Sequence, residues 1–315
     1  MKKFIQNIII FSIILTIVLV LLDVIVTKGL RKSNAFEFDD LTKIYNSQID
    51  ANLVINGSSK ALCQIDPKIV DEVLSVQSYN FGMNGTGIEL QNLVYNLYRK
   101  YNKKPDYIIQ IVSSGTLEKN ENMHEYKRYA PYLNDSLVRE KAQDLNGFEK
   151  VDFYIPFIKY SGFSIEVING FGNFFGIKLP SDTNKKYKGY YAHNAQWNSS
   201  FEKFKVTYPN GKEIIIDNKL IKQLDTSIKK AIQEEINFIM IYPPTYYEAQ
   251  PYITNREKII NTYKAIANNN KILFLDFSSD KITKSKEYFY DSQHLNKKGA
   301  EIFTKKLSLR IKDEN

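Results

Sequence analysis

Five short apolar runs, separated by segments long enough to form helices, constrain the fold of this chain of 315 residues more than any other feature. The third run, at 106–112, is almost wholly apolar, as a parallel strand buried on both faces should be. The other four lie at 53–56, 77–81, 237–242 and 271–277. A segment at 88–101 carries apolar residues at helical spacing. This alternation predicts right-handed βαβ units and a three-layer α/β sandwich around a five-stranded parallel sheet.

The N-terminal segment predicts a membrane anchor. Residues 8–22 are apolar apart from Ser12 and Thr16, and three further apolar residues follow Asp23, which gives about the length of a bilayer-spanning helix. The run is longer than a signal-peptide core, and no small-x-small cleavage site follows it. An uncleaved anchor over 1–32 is therefore expected, with a cleaved signal as the alternative. Basic residues stand on both sides, so that the positive-inside rule leaves the orientation open.

The rest of the chain divides into a short stalk and one large domain. Residues 33–50 are predicted to form a polar, partly helical stalk, and residues 51–315 the α/β domain. The span from about 115 to 235 is too long for a plain loop and is interpreted as an insertion, either a lid over the sheet edge or a subdomain that only packs. Within it, Phe204–Asp217 with Asn210-Gly211 at its centre predicts a β-hairpin.

Composition excludes several classes of protein. The net charge of +8 is spread over many lysines, which fits either a solvated surface or affinity for anionic lipids or acidic polysaccharide. The single cysteine, Cys63, excludes an intramolecular disulfide. No zinc-ligand spacing, glycine-rich phosphate loop or nucleic-acid motif is present. We therefore expect no metal, no cofactor and no nucleic-acid partner.

Two motifs at opposite ends of the domain predict nucleophilic chemistry. Asp291 and His294 stand three residues apart before the last helix, where the carboxylate can hold Nδ1 of the imidazole and leave Nε2 free as a base. Gly57-Ser58-Ser59 follows the first strand, at the carboxyl edge of the sheet. Each motif alone also fits an ordinary capped turn. Together, in the order Ser, Asp, His and in a chain with three histidines, they predict a catalytic serine.

These motifs resemble those of the SGNH (GDSL-type) hydrolase superfamily, in its bacterial membrane-anchored branch. Gly57-Ser58-Ser59 stands where that family has Gly-Asp-Ser. The resemblance implies a flavodoxin-like fold, with Ser59 as the nucleophile and Asp291 and His294 as its partners. It covers residues 50–114 and 237–305.

The resemblance also implies an oxyanion hole. Asn80–Thr86 is similar to the second family motif, which places the backbone N–H of Gly85 beside that of Ser59. The third motif, Gly-x-Asn-Asp, is not matched, because the chain reads Ser-Ser-Gly-Thr at 113–116. Ser114 is then the candidate replacement for the missing asparagine. Losing such a donor costs roughly a hundred- to a thousand-fold in rate.

By the same resemblance, the chain is expected to be a single-pass bacterial membrane protein with an extracytoplasmic catalytic domain. The implied function is a serine O-acylesterase or O-acyltransferase acting on acylated cell-envelope polysaccharide or glycan. Tyr190, Tyr191 and Trp197 are the candidate sugar-stacking residues, with core packing as the alternative. The altered third motif supports another reading, a catalytically weak or inactive SGNH-like protein that binds glycan or assists polysaccharide assembly.

Overall fold

The computed structural model describes residues 1–119, 121–177 and 186–314. Its helices are α1 Lys2–Leu30, α2 Asp39–Tyr45, α3 Ser59–Gln64, α4 Pro67–Leu74, α5 Ile88–Tyr101, α6 Ser136–Asp144, α7 Ser164–Phe175, α8 Ser200–Thr207, α9 Asn218–Gln233, α10 Arg256–Asn270 and α11 Lys297–Glu314. Its strands are β1 Leu53–Asn56, β2 Ser78–Asn80, β3 Tyr107–Ile111, β4 Asn237–Tyr242 and β5 Leu273–Asp276.

The five strands form one parallel sheet in the order β2-β1-β3-β4-β5. In register, Val54 of β1 lies between Tyr79 of β2 and Ile108 of β3. Because all strands run the same way, their carboxyl ends meet along one edge, and the order reverses direction at β1. The predicted flavodoxin-like, five-stranded parallel sandwich is confirmed.

Helices cover both faces of this sheet, because every strand is apolar on both sides. Leu53, Ile55 and Ile109 point to one face, where they share a core with residues of α4 and α11 such as Val70 and Leu307. Residues of the opposite parity in the strands are also buried. Helices α5, α9 and α10 contact one another in series, and α9 and α10 contact β4 and β5. These contacts produce the three layers.

The predicted hairpin at Phe204–Asp217 is wrong. Helix α8 extends through residues 204–207, the start of this segment, because Phe201 and Phe204 lie at helical spacing and pack into the sheet's core. The Asn-Gly turn does form, with Gly211 at a φ of +83° and its N–H donating to the Tyr208 carbonyl (3.0 Å). Beyond that turn, Lys212 pairs with the segment around Ile253 instead of folding back on α8. The Asn-Gly sequence therefore determines the turn, but it does not determine which segment the residues after the turn pair with.

The chain divides into two compact units. One comprises 1–46 and 121–185, and the other, which contains the sheet, comprises 47–120 and 186–315. The predicted insertion is thus shared between both units, and its residues 120 and 178–185 lie outside the described residues. The predicted stalk at 33–50 needs correction, because α2 within it is folded into the first unit with Leu41 and Ile44 buried.

The first unit is built around the end of α1. Its core contains Val26 and Leu30 of α1, Phe38, and Tyr160 and Phe163 from the segment before α7. The earlier part of α1 has exposed apolar side chains and is long and apolar enough to cross a membrane. Such a helix near an N-terminus is either a membrane span or a signal sequence.

Candidate active site

Ser59 is the first residue of α3, directly after the turn that follows β1. The turn is tight, because a Cβ on Gly57 would lie 2.8 Å from the Cβ of Ala61 and 2.9 Å from that of Ile111. Ser58 takes the N-cap position, but its side chain makes no capping hydrogen bond. The N–H of Ser59 lies in the first helical turn, where N–H groups have no partner within the helix. The sequence thus places a hydroxyl and a backbone donor at the carboxyl end of β1.

Asp291 and His294 come from the loop between β5 and α11. An antiparallel bridge between Phe289 and Leu295 closes this loop, and both side chains are fully buried. Asp291 accepts hydrogen bonds from the backbone N–H groups of Gln293 (2.7 Å) and His294 (2.8 Å). The aspartate therefore fixes the loop as well as the imidazole that the loop carries.

The three predicted catalytic residues meet. Ser59 Oγ lies 2.8 Å from His294 Nε2, and His294 Nδ1 lies 2.9 Å from both carboxylate oxygens of Asp291. With the proton on Nδ1, the ring donates to Asp291 and accepts from the serine hydroxyl. This geometry suits proton transfer from the serine during attack on a carbonyl.

Hydrogen bonds stabilise the ionised form of the Asp291 carboxyl group. Burial alone would raise the pKa of this carboxyl group, but the bond and charge of His294 and the two backbone N–H groups outweigh it. The pKa of Asp291 is therefore lowered. Its carboxylate persists at neutral pH and can stabilise an imidazolium on His294.

The predicted oxyanion residues have different surroundings. Gly85 lies in the loop after β2 with a φ of +65°, and the loop is tied to the nucleophile turn by a hydrogen bond from Met83 N–H to the Gly57 carbonyl (3.3 Å). Ser114 follows β3, and its Oγ is 2.9 Å from the Tyr242 hydroxyl at the end of β4. The structure therefore gives Ser114 a partner in β4, which does not support its assignment as the replacement oxyanion donor.

The three predicted sugar-stacking residues differ in their burial and contacts. Tyr190 is only 4% exposed and belongs to the sheet's hydrophobic core, so its assignment as a stacking surface is wrong. Tyr191 is half-buried, and its N–H donates to the Leu62 carbonyl in α3 (2.9 Å). Trp197 is half-buried and packs edge-on against Tyr246 (4.8 Å between ring centroids), with Lys286 Nζ 5.0 Å above its ring. Tyr191 and Trp197 remain candidates.

A stack of three rings at the site was not found from the sequence. Tyr290 lies between His193 (3.9 Å between centroids, 16° between planes) and His294 (5.3 Å, 6°). His193 Nδ1 is buried without a hydrogen-bond partner, and burial lowers the pKa of this histidine, opposed by the charge of Asp291. In the sequence, the aromatic residues next to His193 were the only indication that this histidine contacts other rings. The stack orients the imidazole of His294.

Two buried groups, Cys63 and Lys60, lie beside Ser59, the candidate nucleophile. Cys63 donates its thiol to the Ser59 carbonyl (Sγ–O 2.9 Å), and burial raises its pKa to about 12, so it is not a thiolate at neutral pH. Lys60 is buried, and its Nζ donates to Thr245 Oγ1 (2.8 Å). Burial lowers the pKa of Lys60 to about 8, against the opposing charge of Asp291.

A buried polar chain lies under the site. Asn56, the residue before Gly57, donates to Gln110 Oε1 (3.0 Å), and Gln110 donates to Gln91 Oε1 (2.8 Å). Asn56 and Gln110 are register partners in β1 and β3. Asn56 and Gln110 each interrupt an otherwise apolar run in their strand, and this pattern is visible in the sequence. Within the described ranges, no three His, Cys, Asp or Glu side chains are grouped to hold a metal ion.

No protein-family model and no curated protein matches the chain. Solved structures do. One is assigned to the G-D-S-L lipolytic family in Desulfitobacterium hafniense (12% identity, 82% of this chain and 97% of that one, TM-score 0.41). Another is assigned as a platelet activating factor in Streptococcus pneumonia (13%, 88% and 90%, 0.43). A third is assigned as an acylhydrolase in Bacteroides fragilis (13%, 82% and 86%, 0.36).

The fold and the position of the site agree with the arrangement expected from the sequence. The sheet has the order β2-β1-β3-β4-β5, a serine follows β1, and an Asp-x-x-His loop follows β5, the last strand.

Proposed function

We propose that the chain is a membrane-anchored, extracytoplasmic serine O-acylesterase or O-acyltransferase that acts on cell-envelope polysaccharide or glycan. The observation that carries the chemical part is the continuous contact from Ser59 Oγ to His294 Nε2 (2.8 Å) and from His294 Nδ1 to Asp291 (2.9 Å). A serine, a neutral imidazole and a carboxylate in this order make up the apparatus of acyl transfer.

The reaction has two steps. Ser59 Oγ attacks the carbon of an ester carbonyl while His294 Nε2 takes the hydroxyl proton, and the N–H groups of Ser59 and Gly85 bind the oxyanion. His294 then gives the proton to the leaving alcohol, which leaves an acyl group on Ser59. Water or a sugar hydroxyl, deprotonated by His294, attacks this acyl-enzyme and restores the serine.

The choice between water and sugar depends on the surroundings of the acyl group. The segment 191–198 borders the Asp/His loop, because the Lys297 N–H donates to the His193 carbonyl and the Asn198 N–H donates to the Tyr290 carbonyl (both 2.9 Å). Tyr191 and Trp197 on this segment are the aromatic surfaces for a sugar ring. An acceptor held there is favoured over water through proximity.

An acyl-transfer assay tests this function. The purified full-length chain is given an activated aryl acetate, with and without an oligosaccharide from its own envelope. Acetylated sugar should form faster than free acetate, and Trp197→Ala should lower that ratio without abolishing acetate release. Acetate release unchanged by the sugar would leave a plain esterase. Ser59→Ala should stop both products.

Location is tested separately. Added protease should digest the catalytic domain on spheroplasts, while undigested full-length chain sediments with membranes. A protected domain would reverse the orientation and exclude an envelope polysaccharide as the substrate.

A second candidate function is glycan binding without catalysis. The absence of the Gly-x-Asn-Asp motif, together with the bond between Ser114 and Tyr242, favours it, because the site then has one fewer side-chain donor for an oxyanion. Glycan binding by both wild type and Ser59→Ala, with no acyl-enzyme formed by either, would support this alternative.

A further inference from the structure

The segment that leads into α7 and includes this helix is unusually poor in charge. The 25 residues from Phe153 to Ile177 contain two charged side chains, Lys159 and Glu166, in a chain that is 25% charged overall. Both are neutralised by ion pairs within the unit: Lys159 with Asp23 (2.9 Å) and Glu166 with Lys127 (2.8 Å). This composition is typical of a surface that does not face water.

The ion pair of Lys159 places this segment at the end of the apolar span. A bilayer core takes about 20 helical residues, which, counted from Phe4, end at Asp23. Asp23 is the first acidic residue of the chain, and its partner Lys159 lies in the segment before α7. One turn later, Thr27 Oγ1 lies 2.7 Å from the Tyr160 hydroxyl. The chain around 158–160 therefore lies where α1 leaves the apolar layer.

Helix α7 continues this contact along the last turns of α1. A Cβ on Gly29 would lie 1.7 Å from the Gly170 carbonyl oxygen, so the two backbones touch and both positions require glycine. Further along, Lys32 Nζ lies 6.0 Å from the ring centroid of Phe174. Since Gly170 lies against Val26 and Gly29 and Phe174 lies beside Lys32, α7 runs in the same direction as α1, and its first turns are nearest the span.

Several large apolar side chains in and beside this segment are exposed. Tyr154 is 76% exposed and Ile165 is 72% exposed. With four others they form what we call the apolar collar: Val151, Tyr154, Ile155, Ile158, Ile165 and Ile168. A soluble surface rarely presents so many large apolar side chains together.

We propose that the apolar collar rests in the interfacial layer of the lipid bilayer beside α1, so that the first unit has a second membrane contact besides its span. This proposal rests on the membrane anchoring proposed above and is independent of the catalytic chemistry. Residues 150–153 and α7, which carry half of the collar, both contact residues 158–160, and these bond to α1 at Asp23 and Thr27. The isoleucines and tyrosine of the collar suit the boundary between acyl chains and headgroups. The neutralised pair of Asp23 and Lys159 avoids placing a lone charge there.

Tryptophan quenching by lipid bromine tests the proposal. Trp197 is the only tryptophan, so a Trp197→Phe background gives one fluorophore in each of Tyr154→Trp, Ile165→Trp, Leu15→Trp and Gln143→Trp. Each full-length variant is reconstituted into vesicles of phosphatidylcholine with brominated acyl chains. Leu15 lies in the middle of the span. Gln143 is an exposed residue of α6, which contacts the 126–132 segment that Arg31 holds beyond the end of α1 through the Pro131 carbonyl (2.6 Å).

The expected order of quenching is Leu15→Trp first, then both collar variants with about half of their emission lost, because the interfacial depth is roughly 5–10 Å. Gln143→Trp should be unaffected. Collar tryptophans quenched no more than Gln143→Trp, with Leu15→Trp strongly quenched, would overturn the proposal and leave the anchor standing. An unquenched Leu15→Trp would overturn both the proposed membrane anchor and the proposed membrane contact of the collar. A third outcome would assign the collar to a second copy of the chain. In that case the collar tryptophans would be unquenched, and a Cys63→Ala, Ile165→Cys variant would form disulfide-linked dimers.

Discussion

Ser59 Oγ and His294 Nε2 are 2.8 Å apart although 235 positions separate them in the chain. The parallel sheet brings them to the same edge, since Ser59 follows β1 and His294 follows β5, the last strand. His294 in turn is held by Asp291 below it and by Tyr290 beside it. The following predictions depend on these contacts.

Ser59→Ala should abolish esterase activity on a small aryl acetate, by roughly 10⁴-fold or more, because the attacking oxygen is lost. The matched control is Ser58→Ala. Ser58 is the N-cap of α3 but makes no side-chain cap, so its loss should cost little stability or rate. Activity lost in Ser58→Ala and kept in Ser59→Ala would show that the motif is shifted by one residue.

Asp291→Asn should lower kcat by roughly 10⁴-fold with the fold intact. An asparagine amide facing Nδ1 forces the imidazole proton onto Nε2, and Nε2 then cannot accept a hydrogen bond from Ser59.

The double variant Ser59→Ala/His294→Ala should be about as inactive as either single variant, since the residues share one proton-transfer path. Losses that multiply in the double variant would contradict a shared path.

His193 should make the protein less stable as the pH falls. Burial lowers the pKa of His193 below its ordinary 6.5, so the unfolded chain takes up this proton before the folded chain does. The unfolded state then binds more protons, and stability decreases as the pH drops from about 7.5 towards 5. His193→Phe, which keeps a ring against Tyr290, should lose less melting temperature over that range than wild type. Equal losses in both proteins would rule out this role of His193.

Lys60→Met should stabilise the protein at neutral pH, by about 1–3 kcal/mol. Burial lowers the pKa of Lys60 to about 8, so the folded state bears the cost of a buried ammonium below that pH. Wild type should therefore gain stability as the pH rises from about 8 towards 10.5, and Lys60→Met should not. Denaturant titrations at both pH values measure this, with exposed Lys103→Met as the control. A destabilised Lys60→Met with the wild-type pH dependence would contradict it.

Local patterns were sufficient to predict the sheet and the contact of Asp291 with His294. Asn237–Tyr242 and Ile88–Tyr101 have the predicted bounds, because an unbroken apolar run and a helical period of apolar residues each depend on neighbouring residues alone. Asp291 and His294 were found for the same reason. Their hydrogen bonds close a loop of only three residues.

Long-range packing was not predictable in this way. Tyr190 and Trp197 are both aromatic residues of the insertion, yet one is in the core and the other at its edge. His193 reaches Tyr290 across 97 positions, and that contact exists only once the segment after 186 returns to the sheet. The pairing of Asn56 with Gln110 depends likewise on the register of β1 against β3.

Covalent labelling by a fluorophosphonate is the most direct test that Ser59 is an activated nucleophile. The full-length chain is incubated with the probe, and the modified peptide is sequenced by mass spectrometry. One adduct on Ser59 is expected, with none in Ser59→Ala, and labelling of Asp291→Asn should be much slower. No adduct on the folded wild-type protein, or an adduct on another residue, would contradict the assignment.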